Sequence, residues 1–386
     1  MSTGRWADRI RRRDRGSVDG RSSQAGSLVR LGIGAVALLL SACAPATTSA
    51  NTPPPGSTPL LPATAPPTAA PPTPAPSPVA LPSYQAGVGL IFYANSGYPT
   101  GLAQLLTELH HDGVNSISVT FPFYQSSLTA DSVSSGKGTP PDAQLEGMID
   151  TMEADGFSVT LRPLMDETDL APEWRGAIEP RSVTAWFASY TTLISHYAQL
   201  AAATHAQAFD IGSELYSLEP LTSEWESLIS AVRGVYPGAL TYSVNGNSET
   251  EGTLYDGFWK DLDFVSVDAY WDLGVPDGTG VNGLAQAWQP FLDEMTTAAA
   301  GERVVLSEVG VAPQEGEQDH PWATTLPGPT DAAFQKTYYQ AACQAAETAA
   351  VSGIYWWAAN LGTPGPFDPI GTPAEQAISD CFTAGG

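Results

Sequence analysis

Two glutamates stand in matching settings. Glu214 follows the apolar run Ala208-Phe209-Asp210-Ile211-Gly212-Ser213, and Glu308 follows Arg303-Val304-Val305-Leu306-Ser307. Each run has the length and content of a buried strand, so each carboxyl belongs where a strand meets a loop. Two carboxyl groups so placed are what cleavage of a glycosidic bond requires. One protonates the leaving oxygen, and the other attacks the anomeric carbon. Neither step needs a metal. A lone glutamate after a strand is usually a loop residue, and it is the pairing that carries the reading.

The elements that must position this pair follow a regular rhythm. Strands are predicted at Val88–Tyr93, Ser116–Phe121, Ser158–Pro163, Ala208–Ser213, Leu240–Val244, Phe264–Asp268, Arg303–Ser307 and Gly353–Trp357. Helical patterns lie between them. Leu145, Met148, Ile149 and Met152 share one helix face, and Ser182–Ala203, Ser223–Tyr236 and Ala332–Ala350 also read as helices. Eight such units in about 300 residues predict a single (β/α)₈ barrel of the TIM type. The competing fold, a doubly wound open sheet, should show a glycine-rich phosphate loop after its first strand. Gly87 and Gly89 lie before and at the start of that strand instead of after it, so the signal is missing.

In such a barrel the reactive groups gather at the C-terminal strand ends. The first strand ends in Tyr93-Ala94-Asn95, and the third in Arg162-Pro163 with Asp166 and Glu167 beyond. The fifth ends in Asn245-Gly246-Asn247 and the sixth in Asp268-Ala269-Tyr270-Trp271, while the eighth ends in Tyr355-Trp356-Trp357. Aromatic rings stack on pyranose faces and amides bind hydroxyls, so this rim reads as a sugar cleft. Tyr93, Arg162, Trp174, Asn245, Trp356 and Trp357 are its candidate binding residues. Of the two adjacent tryptophans, one should face the lumen and the other the helices; Trp357 is the preferred inward residue. Tyr270 is placed to hold Glu308 in line. Arg162 is read either as a cation for Glu308 or as an ion-pair partner for Asp166, and Asn245 as a site residue or a turn residue. Glu167 and Glu219 are read as solvated loop charges. Trp174 and Trp322, in loops, are platforms or anchors.

The N-terminus reads as an address. Residues 1–27 hold Arg5, Arg9, Arg11, Arg12, Arg13, Arg15 and Arg21, and Leu31 to Leu40 form an apolar run too short to span a bilayer. The run ends in Leu40-Ser41-Ala42-Cys43, which resembles a bacterial lipobox. The expected organisation is a signal peptide over 1–42, then a lipidated Cys43 opening a Pro/Ala/Thr-rich tether over 43–83, and a catalytic domain over 84–386. The tether cannot bury a core and could reach on the order of 100 Å. This predicts export, with the chain held by lipid on the outer face of the bacterial cytoplasmic membrane or at the cell surface. Export favours a disulfide between Cys343 and Cys381.

The full chain of 386 residues has 41 acidic against 16 basic side chains and a formal charge of −25. Removing 1–42 takes away more arginines than aspartates, leaving an even more acidic remainder. Such a charge disfavours nucleic acid and anionic lipid as partners and is compatible with a neutral polysaccharide. The five scattered histidines and three cysteines show no metal-ligand spacing. No metal and no organic cofactor is predicted, and a tethered monomer is the default.

These residues resemble clan A glycoside hydrolases, whose acid/base lies on the fourth strand and nucleophile on the seventh. The text is most similar to glycoside hydrolase family 113, the β-mannanase-like group. The similarity runs through Trp174-Arg175-Gly176, Trp186, Tyr190, Phe209 to Leu215, Trp225, Leu240-Thr241-Tyr242, Phe258-Trp259, Asp268-Ala269-Tyr270 and Ser307-Glu308-Val309-Gly310. It implies a retaining double displacement, with Glu308 as nucleophile and Glu214 as acid/base, acting on β-1,4-mannan. Two departures stand out. Ser213 replaces the clan's usual Asn before the acid/base, and the second strand ends Phe121-Pro122-Phe123 without the clan's arginine. Arg162 is the candidate replacement for that cation. Two other functions stay open: the same machinery on β-glucan or a cell-envelope glycan, by hydrolysis or transglycosylation, and a non-catalytic carbohydrate-binding lipoprotein.

Overall fold

In the computed structural model, which describes residues 80–94, 100–247, 257–314, 316–324 and 329–383, eight parallel strands close a barrel in sequence order. They are β1 (Gln85–Ile91), β2 (Ser116–Phe123), β3 (Ser158–Met165), β4 (Ala208–Ser213), β5 (Ala239–Asn245), β6 (Val265–Asp268), β7 (Val304–Val309) and β8 (Gly353–Asn360). β1 pairs with both β2 and β8, which removes the open sheet from consideration. The strands lie between a filled lumen and a ring of helices, so nearly every residue in them is buried. That double burial is why the sequence shows apolar runs there and not strict alternation.

Helices α1 (Leu102–His111), α2 (Asp142–Ala154), α3 (Val183–Ala203) and α4 (Thr222–Arg233) follow β1 to β4; α5 (Val281–Ala298), α6 (Ala332–Ala349) and α7 (Pro373–Thr383) follow β6 to β8. The α2 face is the predicted one, with Leu145, Met148, Ile149 and Met152 buried. Ser182 caps α3 by accepting from the Ala185 N–H, and Asp331 caps α6 by accepting from Ala333 and Phe334. Between β5 and β6 the described residues hold a 3₁₀ turn, Phe258–Asp261, where a full helix was expected. Phe258 stacks on Trp225 of α4 at 4.9 Å between ring centroids, so the turn still covers the barrel wall.

β1 starts earlier than predicted, at Gln85, so Gly87 joins Gly89 inside the strand. The reason is the neighbouring strand. A Cβ on Gly87 would come within 2.4 Å of the Tyr355 ring, and one on Gly89 within 2.8 Å of the Trp357 ring. The glycines make room for two bulky β8 side chains that project into the lumen. Cys343 on α6 and Cys381 on α7 form a disulfide, with Cα atoms 5.9 Å apart. The chain enters at the lower rim, where the Arg303 guanidinium donates to the carbonyls of Pro82 and Ser83. Every described residue lies in the unit spanning 73–386; Cys43, most of the stretch expected to be a tether and Asn95 lie outside the described residues.

Candidate active site

Irregular pairing aims both glutamates. β4 and β5 slip in register between Asp210 and Ser213, and β6 and β7 slip between Val267 and Asp268, which leaves Asp268 opposite Glu308. Such slips re-aim side chains at barrel rims. Glu214 follows β4 with φ 55°, in the left-handed region a glutamate seldom adopts. β5 holds it there. The Glu214 N–H donates to the Ser243 carbonyl at 2.8 Å, and the Leu215 N–H donates to the Tyr242 hydroxyl at 2.8 Å.

Below the rim lies a dense charge cluster. Arg162 of β3 is only 1% exposed. Its Nη1 sits 2.7 Å from Glu308 Oε1, its Nη2 2.7 Å from Asp268 Oδ2, and its Nε 3.3 Å from Asp210 Oδ2. Ser213 accepts from Arg162 Nη2 at 2.6 Å and donates to Asp268 at 2.9 Å. Ser307 donates to the other Asp268 oxygen at 2.8 Å, and Ser243 donates to Asp210 at 2.6 Å. A second guanidinium, Arg175, reaches in from the loop after β3. Its Nη1 lies 2.9 Å from Glu214 Oε2, its Nη2 3.0 Å from Glu167, and its Nε donates to the Met165 carbonyl.

Four carboxyl groups thus face two guanidiniums in a volume largely closed to water. Burial, the largest cause, pushes Asp210 up to about 6, Glu214 up to about 7 and Glu308 up to about 8. The Asp268 charge contributes to all three rises, and Glu214 contributes to that of Glu308. The guanidiniums oppose this: Arg175 and Arg162 lower Glu214, and Arg162 lowers Glu308. The cluster therefore keeps a proton near neutral pH, and the two glutamates compete for it.

Most of the expected site residues meet here. The Tyr270 hydroxyl donates to Glu308 Oε2 at 2.8 Å. Asn245 Nδ2 donates to Glu214 Oε1 at 2.7 Å, so this amide contacts the glutamate directly. Trp357 packs over Gly89 with the Arg162 guanidinium carbon 5.6 Å from its ring centre. Tyr93, 41% exposed, donates to Asp166 at 3.1 Å. Asp166 is therefore the partner of Tyr93, and Arg162 pairs with Glu308, Asp268 and Asp210 instead.

Two expectations are corrected, for Trp356 and Glu219. Trp356 is no sugar platform: it points outward, fully buried, and stacks on Tyr339 of α6 at 4.5 Å. Trp174, read as platform or anchor, folds across Gly176, where a Cβ would sit 2.3 Å from its ring. Glu219 is not a solvated loop charge but a buried one, 2% exposed. Arg175 was missed as a site residue although it stands beside Trp174 in a segment that carried the resemblance. Its signal was an arginine in a βα loop at the expected rim.

A cavity of about 280 Å³ opens at the ends of β1 to β3. Tyr93, Thr120, Asp166, Glu167, Arg175 and Trp357 line it. Through Arg175 and Trp357 it adjoins the charge cluster. An aromatic wall, hydroxyls and carboxylates suit a polyhydroxylated ligand.

Residues 96–362 match Glycoside Hydrolase Family 113. Among solved structures, a GH113 β-1,4-mannanase complex aligns with 21% identity and a TM-score of 0.69, over 78% of this chain and 99% of its own. The GH113 β-mannanase AaManA from Alicyclobacillus acidocaldarius, in complex with ManMIm, aligns at 23% identity and 0.67, over 80% and 99%. A β-glucuronidase from Ruminococcus gnavus is similar at 13% identity and 0.52, over 78% of this chain and 49% of its own. No curated protein matches. These structural likenesses establish the barrel, and the family match spans most of the chain: it belongs to glycoside hydrolase family 113 and is an O-glycosyl hydrolase.

Proposed function

We propose that this enzyme hydrolyses β-1,4-mannan with retention of configuration, Glu308 attacking the anomeric carbon and Glu214 serving as acid and then base. The observation that carries this is the separate partnering of the two carboxyls within one cluster. Glu308 has a partner at each oxygen, an ion pair with Arg162 Nη1 at 2.7 Å and a hydrogen bond from Tyr270 at 2.8 Å, both of which favour its ionised form. Glu214 has Arg175, shared with Glu167, and the neutral amide of Asn245. The higher of the two pKa values falls on Glu308. A pair that shares one proton titrates as a unit, and the ion pair and the hydrogen bond on Glu308 favour holding that proton on Glu214. From Glu214 it reaches the leaving oxygen as Glu308 forms the glycosyl-enzyme. Glu214 then deprotonates the water that releases the sugar. Mannan is supported by the mannanases among the structural neighbours.

Reducing-end release from β-mannans, manno-oligosaccharides and β-glucans tests this, with the product anomer read by NMR. Mannan-selective turnover giving the β-anomer first is expected, with Glu308→Gln slower by at least about a thousandfold. Activity confined to glucans would discard mannan and keep the mechanism. A first-formed α-anomer would discard retention.

The same reading places the enzyme on the outer face of a bacterial membrane by lipid on Cys43, supported by Leu40-Ser41-Ala42-Cys43 and the tether behind it. Cys43→Ser should release the enzyme from the membrane fraction of expressing cells. A wild type that fractionates as freely soluble would refute the anchor.

A further inference from the structure

A few residues after Glu214 lies a buried carboxyl that the chemistry above does not use. Glu219 follows the 3₁₀ turn Tyr216–Leu218, which folds the chain back after β4. The Trp225 indole N–H fixes that turn by donating to the Leu218 carbonyl at 2.9 Å. Glu219 is thereby carried into the protein, 2% exposed, with Oε2 lacking any hydrogen-bond partner. Its other oxygen accepts from the Tyr242 hydroxyl at 2.9 Å. That hydroxyl in turn accepts from the Leu215 N–H at 2.8 Å.

The chain of bonds has a direction. A phenol has one proton to give, and its hydrogen lies in the ring plane on one side or the other. Donating to Glu219 turns the lone pairs toward Leu215. Without that acceptor, the phenol hydrogen is free to swing toward the Leu215 N–H, setting donor against donor. The Tyr242 ring cannot move to avoid this. Gly212 passes so close that a Cβ there would lie 3.0 Å from it, and Trp225 and Phe258 pack edge-on at 5.2 and 5.3 Å. The peptide that donates this bond joins Glu214, with its left-handed φ, to Leu215.

We infer that Glu219 is a positioning residue: through Tyr242 it locks the peptide after Glu214 and so holds the left-handed turn that aims the proton donor. This rests on the reading of Glu214 as acid/base. It requires of Glu219 only an acceptor oxygen, not a charge. Burial, which pushes Glu219 up to about 8, is consistent with a neutral acid, and Tyr242 and Glu214 are the titratable groups acting on it.

Three variants test the inference on the glycan the wild type cleaves best. Glu219→Leu keeps the volume and removes the acceptor. Tyr242→Phe removes only the oxygen and covers the case in which the first variant fails to fold. Glu219→Gln restores an acceptor without a charge. The first two should lose on the order of 10- to 100-fold in kcat with KM unchanged. Glu219→Gln should recover most of the loss and leave the alkaline limb of the pH profile in place. Equal kcat in all variants, or a Gln variant as poor as Leu, would overturn the inference. So would a shifted alkaline limb in the Gln variant, because that would assign Glu219 an electrostatic role. Exchange of the Leu215 amide reads the bond without any turnover. Its protection should fall in Tyr242→Phe, and unchanged protection would overturn the inference even if the activity reading failed on its own terms.

Discussion

Tyr270 shows what a single bond does in this cluster. Its hydroxyl sits 2.8 Å from Glu308 Oε2, at the end of β6, and burial and the Glu308 charge push its own pKa far up. The phenol is therefore a permanent donor over any working pH. A hydrogen bond to a charged group contributes about 1.5–3 kcal/mol. Tyr270→Phe should then lower kcat/KM by roughly 10- to 100-fold. It should also move the acid limb of the pH profile. Tyr270 stabilises ionised Glu308, so removing it raises the Glu308 pKa, and activity is lost at a higher pH on the way down. An unmoved acid limb would assign the tyrosine to packing. Asp268 and Asp210 illustrate the opposite case. Neither is posed to touch a sugar, yet Arg162 divides its charge among them and Glu308. Their role could not be read from sequence, because an aspartate in a strand announces burial but not its partner. Ser213 is similar. It stands where the clan has Asn, and its hydroxyl is committed to Arg162 and Asp268.

At the scale of elements, the strands were legible because burial on both faces writes apolar runs, and the glutamates were legible because they end two such runs. What the runs do not write is parity. Tyr355, Trp356 and Trp357 alternate across β8, but either set could face the lumen. The deciding residues lie far away in sequence: Gly87 and Gly89 of β1 leave the space that Tyr355 and Trp357 fill. Trp356 is then forced outward onto α6. The loop residues Arg175 and Glu219 were harder still. One is drawn in by Glu214 and the other by a turn pinned to Trp225, and both contacts form only when the barrel closes. The β1–β8 fit makes a prediction. Gly89→Val would drive a Cβ to 2.8 Å from the Trp357 ring and displace it from the cavity wall. Overpacking of this kind destabilises by about 1–3 kcal/mol. If Trp357 is a sugar wall, KM should rise more than kcat falls. A variant with lower thermal stability and unchanged KM would separate Trp357 from substrate binding.

At the scale of the whole molecule, the chain enters at the lower rim beside Arg303, while both glutamates sit at the opposite, C-terminal ends of parallel strands. The acidic charge of the chain and its buried carboxyls also shape stability together. Asp210 is pushed up to about 6, Glu214 and Glu317 to about 7, and Glu219 and Glu308 to about 8, with burial the first cause in each. In the unfolded chain the same groups titrate near 4. Between about pH 4 and 8 the folded state therefore binds more protons than the unfolded state, and stability falls as pH rises through that window. The surface adds to the trend, since a formal charge of −25 at pH 7 repels itself more as carboxyls ionise. The buried ion pairs of Arg162 and Arg175 act the other way, but two cations serve four site carboxyls. The melting temperature should thus be highest on the acid side, near pH 5, and decline toward pH 8. Thermal unfolding across that range, at fixed ionic strength, measures it. A melting temperature that climbs toward pH 8 would mean that the guanidiniums hold all of these carboxyls ionised in the fold. The proton assigned to Glu214 would then have to come from elsewhere.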